Sequence, residues 1–201
     1  MSIIPYDLLA QTMDKRVVKT KRAVFRALLS LLRDQPVTDV TITDVCRLAM
    51  INRKTFYSHY ESPIQAFFDM ESLIIQGYIA QLKTRGVILA PDFQASLFIR
   101  RTHALIQEAP EDFRILYPYF RSGSFIRDFG IALGKEVAGY TAANPHIRDV
   151  ESFIFSYVFS ITGLLVSYFD WIDSNYPVSL EHLENTADHA FSVPLKTSLQ
   201  I

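Results

Sequence analysis

One cysteine, Cys46, and one tryptophan stand in a chain of 201 residues. A lone thiol excludes an intrachain disulfide framework and a thiolate zinc site. It points to a reducing, cytoplasmic compartment. Sustained period-two alternation between hairpin signals is missing, which argues against a sheet. Internal repeats and low-complexity segments are missing too. No P-loop or dinucleotide fingerprint occurs. His182 and His189 share a helix face but sit about two turns apart, too far for one metal. With no convergent nucleophile, carboxylate pair or ligand set, the expectation is a chain without catalytic residues, metal or cofactor, and no enzyme. The start "MSIIPYDLLAQTM" has neither a basic n-region nor a small-residue cleavage site, so no signal peptide is expected.

What is present is a globular composition, with 49 % hydrophobic and 20 % charged residues. The net charge of −1 conceals an asymmetry. Ten Lys or Arg against four Asp or Glu lie between Asp14 and Tyr60, leaving ten basic against seventeen acidic residues elsewhere. A basic segment on an acidic body suits a polyanion partner on one side. The stretch "SFIFSYVFSITGLLVSYF" (152–169) is free of formal charge and reaches the lower edge of membrane-spanning length. Its serines, its flanking acids Glu151 and Asp170, and the lack of a Lys/Arg cluster favour burial in protein, so no membrane is expected.

The chain reads as all-α, with about nine helices. The first starts at the N-cap Asp14 and stops before Pro36. Val17, Val18, Val24, Leu28, Leu31 and Leu32 are its apolar face. Thr41 and Asp44 have capping-box spacing and open a second helix with Ile42, Val45, Leu48 and Ala49 inward. Met50 and Ile51 turn the chain. Asn52 then caps a short third helix to His59, with Phe56 and Tyr60 inward. Cys46 reads as a small buried hydrophobe. Ser62 and Pro63 open a fourth helix that stops at Gly86. Asp92 caps a fifth, ending near Glu108. Pro110 opens a short sixth, interrupted by Pro118. Ser122 or Ser124 starts a seventh, the eighth spans about 147–174, and Ser179 caps a ninth that ends at Pro194.

Two short helices joined by a tight turn, the second with polar and aromatic residues outward, match a helix-turn-helix. One helix fits the major groove, its leading side chains reaching base edges and its flanks reaching phosphates. Backbone N–H groups at the starts of the second and fourth helices suit phosphate as well. The expected DNA-contacting residues are Thr41, Thr43, Asn52, Arg53, Lys54, Thr55, Tyr57, Ser58 and His59.

The segment "TITDVCRLAMINRKTFYSHYESPIQAFF" (41–68) resembles the TetR family of bacterial transcription regulators. The resemblance rests on Thr41, the "AMIN" turn, Lys54-Thr55, Phe56-Tyr57, Tyr60 and Ser62, and is detailed over about residues 14–70. It implies a helix-turn-helix DNA-binding domain over 1–62 and a helical regulatory and dimerisation domain over 63–201. Two departures stand out. Met50 takes the turn position where that family usually has Gly, implying a different turn geometry or modest strain. Pro63 stands where the family often has a phosphate-binding Lys.

The resemblance further implies a homodimer on a pseudo-palindromic double-stranded DNA operator, pairing through helices near 149–173 and 179–193. Leu180, Leu183, Ala187, Ala190 and Phe191 form the expected stripe of the last helix. It also implies a repressor released by a small apolar or aromatic ligand, with His103, Tyr117, Phe120, Phe129, Phe153 and Tyr157 as pocket candidates. The rival expectation is an adaptor or nucleoid-bound regulator acting mainly through a protein partner.

Overall fold

The computed structural model describes residues 2–12, 14–89 and 93–191. The fold is all-α: ten α-helices and one short 3₁₀ turn, with no strand among the described residues. The helices are α1 (Tyr6–Thr12), α2 (Lys15–Leu31), α3 (Ile42–Ala49), α4 (Arg53–Tyr57), α5 (Pro63–Thr84), α6 (Ala95–Glu108), α7 (Pro110–Phe120), α8 (Gly123–Ala142), α9 (Val150–Asp173) and α10 (Leu180–Phe191). The helix beyond the expected nine is α1. Pro118 does not interrupt α7 but sits inside its last turn, where it forfeits only one internal hydrogen bond. Asp92 and Pro194, expected at helix ends, lie outside the described residues, as does the Phe191 side chain.

Contacts group the chain into two compact units. One comprises Met1–Gly77 with Glu108–Pro118, the other Tyr78–Gln107 with Tyr119–Ile201. α5 starts at Pro63, and the first unit continues along it to Gly77.

In the first unit α2 packs on α3 and α3 on α4. Val24, Phe25 and Leu28 of α2, Val45 of α3, Phe56 of α4 and Met70 of α5 are fully buried. Leu48, expected inside with them, is 40 % exposed. It shares a helix face with Val45 by spacing, yet the turn at Met50 follows at once and leaves it only partly covered. The N-terminal segment folds onto the same unit. Ile4 and Leu9 are buried. Arg22 donates to the Tyr6 carbonyl at 3.0 Å, and Arg22 and Arg26 both lie 5.6 Å from the Tyr6 ring. Ser2 Oγ and the Ile3 N–H donate to Asp112 at 2.9 and 3.0 Å. Pro5 packs on the bare backbone of Gly77: a Cβ there would stand 2.7 Å from Pro5 Cβ and nearer still to Cγ.

In the second unit α8 packs on α9. Gly130 and Gly134, one turn apart, face Val158 and Thr162 of α9 at van der Waals range. By length and composition α9 is apolar enough to cross a membrane. Its Phe153, Tyr157, Ile161, Leu164, Leu165, Tyr168 and Trp171 are nonetheless buried in protein. The opposite side carries Phe155 and Phe159, 73 % and 69 % exposed, their rings stacked at 6.3 Å. Polar contacts tie α10 to α6. Arg100 makes paired hydrogen bonds to the buried Glu184, and Asp188 accepts from the Ser96 N–H at 2.9 Å. Within the expected stripe of α10, Ala187 is buried, Leu180 and Leu183 are half-buried and Ala190 is exposed.

Replacing Gly77 by Ala should drive Pro5 off α5 and cost about 1–3 kcal/mol. A urea-unfolding midpoint measures the loss. Faster proteolysis within the first twelve residues reports release of the segment. Unchanged stability and unchanged cleavage would contradict the packing described.

Candidate nucleic-acid interface

The interface is built from local hydrogen bonds. Thr41 caps α3: its hydroxyl accepts from the Asp44 N–H at 3.1 Å and pairs with Asp44 Oδ2 at 2.6 Å. The Thr41 hydroxyl and then Arg47 hold the Asp44 carboxyl below its usual range. α3 closes with paired backbone bonds, Met50 N–H to the Arg47 carbonyl at 3.4 Å and Ile51 N–H to the Cys46 carbonyl at 3.1 Å. That is a Schellman ending, whose key residue must be left-handed. Met50 takes that role, with φ 53° and ψ 43°, so the turn keeps the geometry a glycine would give and bears the steric strain. Its side chain is 91 % exposed.

Asn52 caps α4, its Oδ1 accepting from the Thr55 N–H at 2.7 Å. Phe56 anchors the helix in the core, against the rings of Tyr60 at 5.8 Å and Tyr57 at 6.1 Å. α4 ends at Tyr57, with Ser58 as its C-cap and His59 beyond it. Cys46 is buried, and burial pushes its thiol pKa up.

The nine expected residues fall into groups. Arg53, Lys54, Tyr57 and Ser58 are exposed, with Tyr57 at 57 %. Arg53 lies one turn before Tyr57, and Lys54 one turn before Ser58. Thr55 and His59 are half-buried. Thr41, Thr43 and Asn52 are exposed at the starts of the two helices. Arg53 is not wholly free: its guanidinium donates to Thr43 Oγ1 at 2.8 Å and ties α4 to α3. Ser58 Oγ donates to the Thr55 carbonyl at 2.7 Å. Lys54 has no side-chain partner among the described residues, so its charge is available. Lys15, Arg16 and Lys19 of α2 add exposed positive charge to the same unit.

The sequence reading missed a polar knot behind this surface. Asp69 Oδ2, on α5, accepts from Lys21 Nζ of α2 at 2.6 Å and from the Tyr60 hydroxyl at 2.6 Å. Burial, and after it Asp69, raises the Tyr60 pKa. Asp69 sits between Phe68 and Met70 in an apolar helix, the one signal that could have marked it.

The six expected pocket residues are spread over α6 to α9. Phe120, Phe129, Phe153 and Tyr157 are buried. The Tyr157 hydroxyl accepts from the Leu89 N–H at 2.6 Å, and burial pushes its pKa up to about 12. Tyr117 belongs to the other compact unit. Of the six, His103 alone lines the open cavity near the end of α9. No group of three His, Cys, Asp or Glu able to hold a metal is gathered among the described residues.

The chain matches no family model. Over 48 residues it is 44 % identical to a protein of Bacillus subtilis (strain 168) described as the uncharacterized HTH-type transcriptional regulator YxbF. That stretch is 23 % of this chain and 13 % of that protein's length. The similarity and the capped helix pair agree on the class, a chain with a helix-turn-helix of the kind found in transcriptional regulators.

Met50→Gly should relieve the left-handed strain and raise stability by about 1 kcal/mol. Asn52→Ala should lower it by about 1 kcal/mol through the lost cap. Urea titrations of both variants test the pair. Destabilisation by Met50→Gly would mean that the side chain packs where the structure leaves it exposed.

Proposed function

We propose that this chain is a sequence-specific, DNA-binding transcriptional regulator of the TetR kind, working in the cytoplasm without catalysis. The observation that carries the reading is α4. It is short, capped at Asn52, anchored by Phe56, and presents Lys54 and Tyr57 outward beside Arg53. The similarity to a helix-turn-helix regulator supports it. Lys54 meets a phosphate or a base edge, and Tyr57 packs on the backbone. Arg53, steered by Thr43, reaches toward bases. Thr41 and the exposed N–H groups at the start of α3 take a phosphate.

The regulator acts as a homodimer, because one short helix makes few base contacts. Two heads read halves of a pseudo-palindrome about 34–36 Å apart or a multiple of that. The stacked pair Phe155 and Phe159, with Val166 further along α9, is an apolar face suited to a second copy. α10 is the other dimer element. The dimer represses by occupying its operator. A small ligand in the second unit releases it by disfavouring the DNA-competent arrangement.

An adaptor acting through a protein partner remains the second reading. Pro63 leaves no cation at the first position of α5, which suits a weak head.

Lys54→Glu separates the two. Selection from random duplexes should enrich one pseudo-palindrome for the natural chain, with affinity falling steeply between low and moderate salt. The variant should lose that binding by at least a hundredfold while keeping its helical content. Direct DNA recognition is rejected if the variant binds as the natural chain does. Separately, Phe155→Glu with Phe159→Glu should convert a dimer to a folded monomer in sedimentation. A monomeric natural chain would remove the dimer from the reading.

A further inference from the structure

The end of α9 and the loop after it border a wide, open groove of about 530 Å³, lined in part by α6. Two of its walls are aromatic. Trp171 and Tyr176 meet edge to face at 4.6 Å. The indole N–H is already given to the Val178 carbonyl at 2.9 Å, and Trp171 is only 7 % exposed, so it offers the groove a ring edge and no donor. Val178 and Leu180 extend the apolar lining. The polar wall comes from α6: His103 and Gln107 are one helical turn apart. The buried Tyr168 hydroxyl holds His103 Nδ1 at 2.9 Å, which fixes the ring and leaves Nε2 without a partner among the described residues. Gln107 is exposed and its amide is likewise unengaged.

The loop is held in an unfavourable backbone. α9 ends in a Schellman pair, Asn175 N–H to the Ile172 carbonyl and Tyr176 N–H to the Trp171 carbonyl. Asn175 accepts the left-handed conformation readily, but Tyr176 is left-handed as well, with φ 57°. A bulky residue kept there costs free energy, and such strain gathers at ligand clamps. Here it sets the Tyr176 ring against Trp171.

We propose that this cavity binds a small planar aromatic compound carrying one hydrogen-bonding substituent. The ring lies along the exposed Tyr176 and against the edge of Trp171, and the substituent pairs with Gln107 and His103 Nε2. As the signal of the regulator, this ligand rests on the function proposed above; its binding to the cavity does not.

Trp171 is the chain's one tryptophan, so its emission reads the cavity directly. The probes are benzamide and cyclohexanecarboxamide, which share an amide and differ in ring planarity. Titration of the full chain, excited at the red edge of indole absorption, should give a saturable change with benzamide. Affinity for the saturated analogue should be at least fivefold weaker. Gln107→Leu, which breaks no side-chain hydrogen bond among the described residues, should weaken benzamide at least fivefold without altering the emission of the free chain. His103→Ala should weaken it further. No saturable change with benzamide, equal affinity for the two probes, or an undiminished response in Gln107→Leu would overturn the site. DNA selection repeated with saturating benzamide separates site from signal. Reduced DNA binding supports the signalling role, and unaltered DNA binding rejects that role while the site stands. A chain that binds no DNA under any condition would sink the regulator reading and leave the fluorescence result intact.

Discussion

Asp69 is the point on which the first unit turns. One carboxylate oxygen takes a hydrogen bond from Lys21 of α2 and another from Tyr60, just past α4. The helix that supplies it, α5, starts only a few residues after Tyr60. α4 is too short to hold itself in place by its own backbone bonds. Its position is set by Phe56 below it and by Tyr60 after it, and Tyr60 is oriented by Asp69. The Lys21 ammonium lies 5.8 Å from the Tyr60 ring as well as on the carboxylate, so charge, ring and hydroxyl fix one another. Loss of the carboxylate would leave a buried tyrosine hydroxyl and a largely buried ammonium unpaired. The outward residues of α4 therefore owe their placement to groups that never reach the surface they present.

Backbone endings carry the second layer of order. The same paired closure finishes α3, α5 and α9, with Met50, Gly86 and Asn175 in the left-handed position. Glycine accepts it freely and asparagine with little penalty, whereas methionine does so against its Cβ. Identical hydrogen bonding with unequal strain means that the turn between α3 and α4 is held by its surroundings. The core residues on both sides, Val45 and Phe56, are fully buried and leave little freedom for another path.

Much of this was legible in the sequence because caps act over three residues. Asp14, Thr41, Asn52, Ser122 and Ser179 each accept from a backbone N–H two or three positions on. The exposure of Arg53, Lys54 and Tyr57 followed from one turn of helix. What escaped depends on distant partners. α1 is short, and its clamp on Arg22 and Arg26 comes from elsewhere in the chain. Leu48 has the spacing of a core residue but lies next to the turn and is only partly covered. Pro118 looked like a break, yet α7 runs on past it to Phe120. The cavity beside Trp171 joins α6 to a loop some seventy residues away, and no local pattern records that meeting.

The two compact units are interleaved along the chain, since Glu108–Pro118 belongs with the N-terminal unit while the segments on either side of it do not. Asp112, which receives Ser2 and Ile3, lies in that returning piece. The N-terminal unit is thus not a contiguous cassette. A recombination event with one crossover, natural or engineered, would carry α3 and α4 away without the residues that finish their unit. Inheritance of this head as a working part needs two junctions, so the polypeptide exchanges as a whole more readily than by halves.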